Sequence, residues 1–461
     1  MNLEGEVDQR HRVRRRYQFD MATPPDRAGA TSIVTSGRIA ALIVALLAAA
    51  SASPAAALEG IAIHAGKVVA VPGEPMLGPS TIVVRNGRIA EIRAGHVEVA
   101  DAATIDLKDR TLLPGLIDAH VHLSFAPETR LWSAAIDRAE DVALFAFSNA
   151  KKTLEAGFTT VRDVGSDGYS IHSLRDAINT RMVPGPRIFL SGTSLSIVGG
   201  HGDMSGLNRK ATEALFPYDY TGACTGAVEC ALRVREAAKY GADLIKITST
   251  GGIMSQQARG LGQHLSDDEL SSIVATSRSL GLKVAAHAHG RDGVAASVRA
   301  GVDSIEHGTY LDDEIAKLMA RRGTWLVPTL GLLDRKSDSE ASPAVQAKLA
   351  EARRVAGENI RLAVKYRVKI AFGTDAGVSQ HGSNAKQFRL MVDQGPMSPV
   401  DALKSATINA AALLDQSETL GTIEVNKNAD LIAVVGNPYS DVGTLENVTF
   451  VMKDGQVVTR K

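Results

Sequence analysis

The sequence predicts an α/β fold: a (β/α)8 barrel carrying a small β-sandwich assembled from both ends of the chain. Three observations lead there. Short apolar runs alternate with amphipathic stretches through the middle of the chain. Both outer segments read as hairpins. Polar residues recur where the central apolar runs end.

Residues 1–57 read as an N-terminal extension and signal peptide. Gly37-Arg38 precedes a run from Ile39 through Ala50 made only of Ile, Ala, Leu and Val, and Ala55-Ala56-Ala57 forms a small-x-small cleavage signal before Leu58. An apolar run of about 12 residues falls short of the roughly 20 needed to span a bilayer. The expectation is a periplasmic or secreted mature chain with no stable membrane span, an uncleaved anchor being the alternative. Residues 1–36, with Arg14-Arg15-Arg16, lack periodicity and are set aside from fold reasoning.

Residues 58–112 form the first part of the sandwich. Val68-Val69-Ala70-Val71, Thr81-Ile82-Val83-Val84-Arg85, the Asn86-Gly87 turn and Arg88-Ile89-Ala90-Glu91-Ile92 are hairpin material. Residues 421–461 supply the second part, through Ala429–Val435, Val448–Lys453, the Asp454-Gly455 turn and Gln456-Val457-Val458. Each segment is too small for a core of its own, so the two are expected to pack together.

Between them, residues 113–420 read as the barrel. Strand candidates are 116–121, 158–162, 187–191, 243–248, 283–287, 302–306, 325–328 and 369–373. Amphipathic segments fall at 140–155, 227–240, 266–280, 290–299, 312–322 and 345–366. Eight such runs match the TIM-barrel count. The Gly/Ser/Thr-rich stretch 192–226 is a long loop. A doubly wound sheet is the rival, but no G-x-G-x-x-G opens the first unit.

Composition narrows the function classes. Hydrophobic residues make up 44% and charged residues 22%, as in ordinary soluble enzymes. With 51 basic and 51 acidic side chains, the chain has no basic footprint for nucleic acid. The two cysteines, Cys224 and Cys230, lack the cluster spacing of a thiolate metal site. A short-loop disulfide and a reduced pair are both open readings.

The chemistry begins at His120-Val121-His122. Positions i and i+2 of a strand face one side, so both imidazoles can address one centre. Later strands deliver Lys246, His287, His307 and Asp375 near their C-terminal ends, the face on which barrels carry their chemistry. A nitrogen and oxygen donor set without thiolates suits zinc, with manganese or cobalt tolerated. Lys246 is either a buried lysine paired with a carboxylate or a neutral amine that combines with carbon dioxide to give an anionic carbamate.

Residues 60–461 resemble the amidohydrolase superfamily, closest to its imidazolonepropionase-like, metal-dependent peptidase branch, which includes Xaa-Pro dipeptidase-like and ochratoxin-hydrolysing members. The resemblance rests on Pro114-Gly115-Leu116-Ile117-Asp118-Ala119-His120-Val121-His122, the Lys246 strand, His287-Ala288-His289-Gly290, Ile305-Glu306-His307-Gly308, Gly373-Thr374-Asp375-Ala376 and the closing Gly421-Thr422-Ile423 with Asn428-Ala429-Asp430-Leu431. It implies two divalent metal ions. His120, His122 and Asp375 would hold the more buried one and His287 and His307 the second, with carboxylated Lys246 bridging. His289 would face the substrate.

Under that reading, an activated water attacks an amide carbonyl while Asp375 takes its proton and hands it to the departing nitrogen. Alternatively Asp375 is a ligand only, and His289 is the proton donor. Glu306 is expected to point to the side of its strand opposite His307 and to serve in a structural ion pair, and Asp118 is also read as structural. Substrate contacts are expected from His201, His289, Arg259 and His264, with His381 a weaker candidate.

The branch implies small peptides or N-acyl amino acids with a free C-terminal carboxylate, cleaved in dipeptidase or carboxypeptidase fashion, ochratoxin-type substrates included, and homo-oligomers. The alternatives are a cyclic-amide hydrolase of the imidazolonepropionase kind and, more remotely, a non-catalytic binding protein, which would be expected to lack a ligand.

Overall fold

The computed structural model describes residues 60–460 apart from 130–132, 134–135, 167, 204–207, 216–220, 256–259 and 332–341. All belong to one compact unit, Ala57–Lys461. The leader expected at 1–57 lies outside the described residues. Among those residues, no helix is long and apolar enough to cross a membrane.

Both ends of the described region enter one seven-stranded sheet. Its order is Gln456–Arg460, Val448–Lys453, Leu431–Val434, Ala102–Pro114, Gly60–Val68, Ser80–Arg85 and Arg88–Ala94. Ala102–Pro114 is the joint, pairing parallel with Gly60–Val68 and antiparallel with Leu431–Val434. Ile63, Ile82, Ile89, Leu107, Leu431 and Phe450 meet in one apolar cluster, so each end supplies what the other needs to bury. Two details differ from expectation. The strand expected at 68–71 runs earlier, over Gly60–Val68, and Ala102–Pro114 crosses the expected boundary at residue 112.

The central region forms two parallel arcs. Leu116–Val121, Phe158–Asp163 and Arg187–Leu190 make the first. Leu244–Thr248, Lys283–Ala288, Ser304–His307 and Trp325–Val327 make the second. Strands such as Leu-Ile-Lys-Ile-Thr are buried throughout, as parallel strands covered on both faces must be. Backbone bonds join the arcs at both edges. Asp243 N donates to Leu190 O and Leu195 N to Lys246 O, each at 2.8 Å. On the other side Ile370 bridges Leu326 in parallel, and Ala119 N donates to Phe372 O at 2.8 Å. The run expected as a strand at 369–373 is thus the eighth segment, but it carries a single bridge at Ile370 rather than a ladder.

The helices start where their caps require. Ser266 and Glu269 form a capping box ahead of Asp267–Ser279, and Asp312 accepts from Ile315 N ahead of Asp313–Arg322. The amphipathic run 345–366 divides into Pro343–Arg354 and Glu358–Tyr366. Gly357 makes the break: its φ is +77°, and a Cβ there would stand 2.2 Å from Gln394 O. Cys224 and Cys230 form a disulfide across the entry to Gly226–Lys239, which resolves the open reading of that pair. Arg187 reaches from the first arc to Asp430 and Asp454 of the mixed sheet, at 3.4 and 2.5 Å.

Candidate metal centre

Polar side chains gather where the parallel strands end. The rings of His120 and His122 lie with centroids 5.2 Å apart. His122 Nδ1 donates to Gly165 O at 2.5 Å, and His120 Nδ1 donates to the Glu306 carboxylate at 2.7 Å. Each ring therefore turns an unprotonated Nε2 inward. Asp375 Oδ1 stands 3.2 Å from His122 Nε2 and 3.5 Å from His120 Nε2. His120 Nε2 is buried and has no hydrogen-bond partner.

Two nitrogen lone pairs aimed at a carboxylate repel it unless a cation sits among them. This orphaned nitrogen and its donor set fit a divalent metal. Two donors held about 2.05 Å from one tetrahedral zinc are roughly 3.3 Å apart, close to the separations here.

The delivery of Asp375 depends on local backbone. A Cβ on Gly373 would come within 2.9 Å of His120 Cβ and 2.3 Å of Val327 Cγ1, so only glycine lets this segment lie so close to the His120 strand. Asp118 ties the two together. It accepts from Thr374 Oγ1 at 2.6 Å, Asn384 Nδ2 at 2.8 Å and His120 N at 3.1 Å. Burial raises its pKa to about 6 against those bonds. Asp375 itself sits at φ 60° and His307 at φ 72°, left-handed values that cost a non-glycine residue energy and persist only where neighbours enforce them. For His307 one such neighbour is Asn359, whose Nδ2 donates to His307 O at 2.6 Å.

A second nest adjoins the first. His287 Nδ1 and His307 Nε2 are 2.9 Å apart. The outer nitrogens are also engaged, His287 Nε2 donating to Gly251 O at 3.4 Å and His307 Nδ1 lying 2.5 Å from Thr329 Oγ1. Burial first, and neighbouring charges second, hold both rings well below the usual imidazole range, so they are neutral donors to a cation. Donor atoms of His287, His289 and His307 lie within 4.8 Å of one another, as do those of His120, His307 and Asp375. His307 belongs to both groups, so the nests are contiguous.

Lys246 is buried on Leu244–Thr248. Burial lowers its ammonium pKa to about 8 despite the pull of Glu306 and Asp375, which brings the neutral amine within reach near neutral pH. Burial alone would raise the carboxyl pKa of Asp375, and a cation seated among these donors would hold it ionised.

The remaining sequence candidates divide. The His201 ring lies tilted against His287 with centroids 4.3 Å apart and places Nδ1 2.7 Å from Ser255 Oγ. His289 stacks on His307 at 4.7 Å with Nδ1 2.8 Å from Thr309 Oγ1. Burial lowers the pKa of His201 to about 4 and that of His289 to about 3. The backbone amide of His264 bonds Ser249 O, and its ring lies against Gly251. Arg259 lies outside the described residues. His381 Nε2 donates to Phe125 O at 3.0 Å, which makes it an anchor of the loop after His122.

Glu306 requires a correction. Its ion pair is present, with Arg162 at 2.7 Å, but it does not point away from the site. The left-handed φ of His307 breaks the strand alternation, so Glu306 and His307 both reach His120. Sequence reading also missed Arg162, Thr329 and Asn359. Arg162, the lone cation in the run Phe-Thr-Thr-Val-Arg-Asp, was the one visible signal.

The chain is similar over most of its length to several known proteins. A solved structure of an Xaa-Pro dipeptidase with bound methionine in the active site is 40% identical, covers 86% of this chain and 99% of its own, and superposes with a TM-score of 0.81. The ochratoxinase of Aspergillus niger is 29% identical over 426 residues, 86% of either chain. The imidazolonepropionase of Sphingopyxis alaskensis is 24% identical over 391 residues, 79% of this chain and 88% of its own. These neighbours imply that the two arcs and the eighth segment are a (β/α)8 barrel and that the mixed sheet is its β-sandwich companion. The profile of the amidohydrolase family matches residues 111–458, and the chain belongs to that family, whose members here are hydrolases acting on C–N bonds.

Proposed function

We propose that this chain is a binuclear, divalent-metal amidohydrolase that cleaves the amide bond of small peptides or N-acyl amino acids bearing a free C-terminal carboxylate. The observation that carries the reading is the pair of contiguous donor nests sharing His307, with buried Lys246 close enough for its charge to bear on His287 and His307. Similarity to an Xaa-Pro dipeptidase and to an ochratoxinase supports the bond type. His120, His122 and Asp375 would hold one ion and His287 and His307 the other, with Lys246 bridging as its carbamate. Zinc suits this donor set.

When bound, the ions supply Lewis acidity toward the carbonyl and lower the pKa of a water molecule. Asp375, ionised at neutral pH, accepts a proton from the attacking water at its carboxylate and passes it to the departing nitrogen, which cannot leave as an anion. His289, kept neutral by burial, orients the substrate carbonyl by hydrogen bonding rather than storing a proton. The leader at 1–57 and the Cys224–Cys230 disulfide support a periplasmic or secreted mature enzyme.

Metal analysis combined with a panel of N-acyl amino acids and Xaa-Pro, Xaa-Arg and Xaa-Phe dipeptides tests the proposal. Release of the C-terminal residue by protein holding about two ions per chain is expected. One ion in fully active enzyme removes the binuclear part. Turnover confined to hydantoin-like rings replaces the peptide reading with the cyclic-amide one.

A further inference from the structure

The helix Pro343–Arg354 lies across the loops at the barrel mouth. Val345, Leu349 and Ala352 pack on Ile253, Met254, Leu261 and Val378. This apolar seam fixes which helix face looks inward, and Lys348 stands on that side. Its Nζ donates to Gly252 O at 2.9 Å and Ser255 O at 2.7 Å, both in the loop after the Lys246 strand. His201, whose Nδ1 meets Ser255 Oγ, is held by the same loop. The Lys348 charge bears on both His201 and His289, helping to lower their pKa values after burial itself.

An ammonium has three hydrogens. Among the described residues Lys348 has two carbonyl acceptors, and no carboxylate pairs with it. The carbonyls aim the cation without neutralising it. One helical turn onward, Ala352 lines a cavity of about 30 Å³ with Ile253, Leu330 and Val355 on its apolar side and His289, His307 and Thr329 among its polar lining. A positive group and a small hollow with an apolar side thus lie one turn apart on the helix that faces the site. An α-amino acid presents the matching pair from a single Cα: a carboxylate and a side chain.

We propose that Lys348 and the cavity beside Ala352 form the subsite for the C-terminal residue of the substrate, with the ammonium taking the α-carboxylate and the cavity taking a small apolar side chain. This rests on the amide-hydrolase reading above and adds the recognition element and the side-chain class. A hollow of about 30 Å³ has room for little more than a methyl group, so the substrates it selects are Xaa-Ala dipeptides and N-acyl alanines, ahead of those ending in larger residues.

The test compares each free-acid substrate with its C-terminal carboxamide on the metal-loaded enzyme. Wild-type enzyme should favour the free acid at least tenfold in kcat/KM. Lys348→Met should raise KM for the acid about tenfold or more, leave kcat within about twofold, and leave the carboxamide unaffected; a charge-assisted hydrogen bond of about 1.5–3 kcal/mol corresponds to that range. Ala352→Leu, which fills the hollow, should lower kcat/KM for Xaa-Ala toward the value for Xaa-Gly; an unchanged Xaa-Ala preference would remove the cavity from the subsite.

If Lys348→Met depresses acid and carboxamide equally, the lysine only braces the loop and the proposal is overturned. Equal wild-type rates on acid and carboxamide overturn it without any variant, should Lys348→Met not fold. Wild-type enzyme that hydrolyses neither compound refutes the amide reading itself, a failure distinct from that of the subsite.

Discussion

His120 donates its Nδ1 hydrogen to Glu306 at 2.7 Å, and the other oxygen of Glu306 accepts from Arg162 at 2.7 Å. The carboxylate thereby fixes the tautomer that leaves His120 Nε2 facing Asp375. Partners of this kind commonly contribute about 10–100-fold to metal affinity. Glu306→Gln should weaken metal binding by that range in a chelator competition. It should also destabilise the fold by about 3 kcal/mol in denaturant titration, because Arg162 is left buried without its counter-charge. Lost stability with unchanged metal affinity would confine Glu306 to its ion pair with Arg162.

The same carboxylate gives the acid limb of stability a direction. Burial would raise the Glu306 pKa, but Arg162 and His120 overcome it and hold the group at about 2, below its ordinary 4.5. A group whose folded pKa is depressed stabilises the fold fully above the unfolded value and loses that contribution as pH falls toward the folded one. The stability gap between wild-type and Glu306→Gln protein should therefore be constant near neutrality and narrow from about pH 4.5 toward pH 2. A gap that stays constant through that window would show that the charge on Glu306 does not stabilise the fold.

Residues that announce themselves by type were legible in the sequence: the two histidines of His120-Val121-His122, and single polar groups ending apolar strands at Lys246, His287, His307 and Asp375. Alternation carried most of the strand positions. It failed at Glu306 because the reversal at His307 is a backbone event, enforced partly by Asn359 from a helix more than fifty residues away. The break at Gly357 was hidden because the apolar period resumes beyond it, and the reason for the glycine is Gln394 O, a contact absent from local sequence. Nothing in the local sequence marks out Lys348, because what sets it apart is its bonding to the loop carbonyls of Gly252 and Ser255.

Asp375 should be separable as a proton carrier from Asp375 as a donor to the metal. Asp375→Asn keeps an oxygen donor but cannot accept and return a proton. Loss of a positioned acid–base group lowers rate by about 10²–10⁴-fold. The expected result is that fall in kcat with KM changed far less, read alongside metal content. Full activity would remove the shuttle, while loss of metal in proportion to loss of rate would reduce Asp375 to a ligand.

In the proposed site Lys246 would bridge as its carbamate, which makes a demand on the medium. A carbamate forms only when the neutral amine meets carbon dioxide, and burial has already brought the Lys246 pKa down to about 8. Metal-free protein reloaded in carbon dioxide-depleted buffer should regain activity more slowly than in bicarbonate, and Lys246→Ala should fail to retain two ions. Normal metal loading in Lys246→Ala would rule the bridge out.

The Cys224–Cys230 disulfide closes a short loop, with a sequence separation of 6. In the chain-entropy account such a loop contributes about 2 kcal/mol by restricting the unfolded chain. Its local effect matters more for function. Ala223–Cys224 pairs parallel with Ser196–Ile197, and His201 follows four residues after Ile197. Replacing both cysteines with alanine should lower stability by about 2 kcal/mol. Because the tether to the His201 loop is loosened, KM should rise while metal content holds. Reduction of wild-type protein, followed by thiol labelling, should reproduce both effects. Unchanged KM after reduction would leave the disulfide as a restraint on the unfolded chain alone, with no hold on the His201 loop.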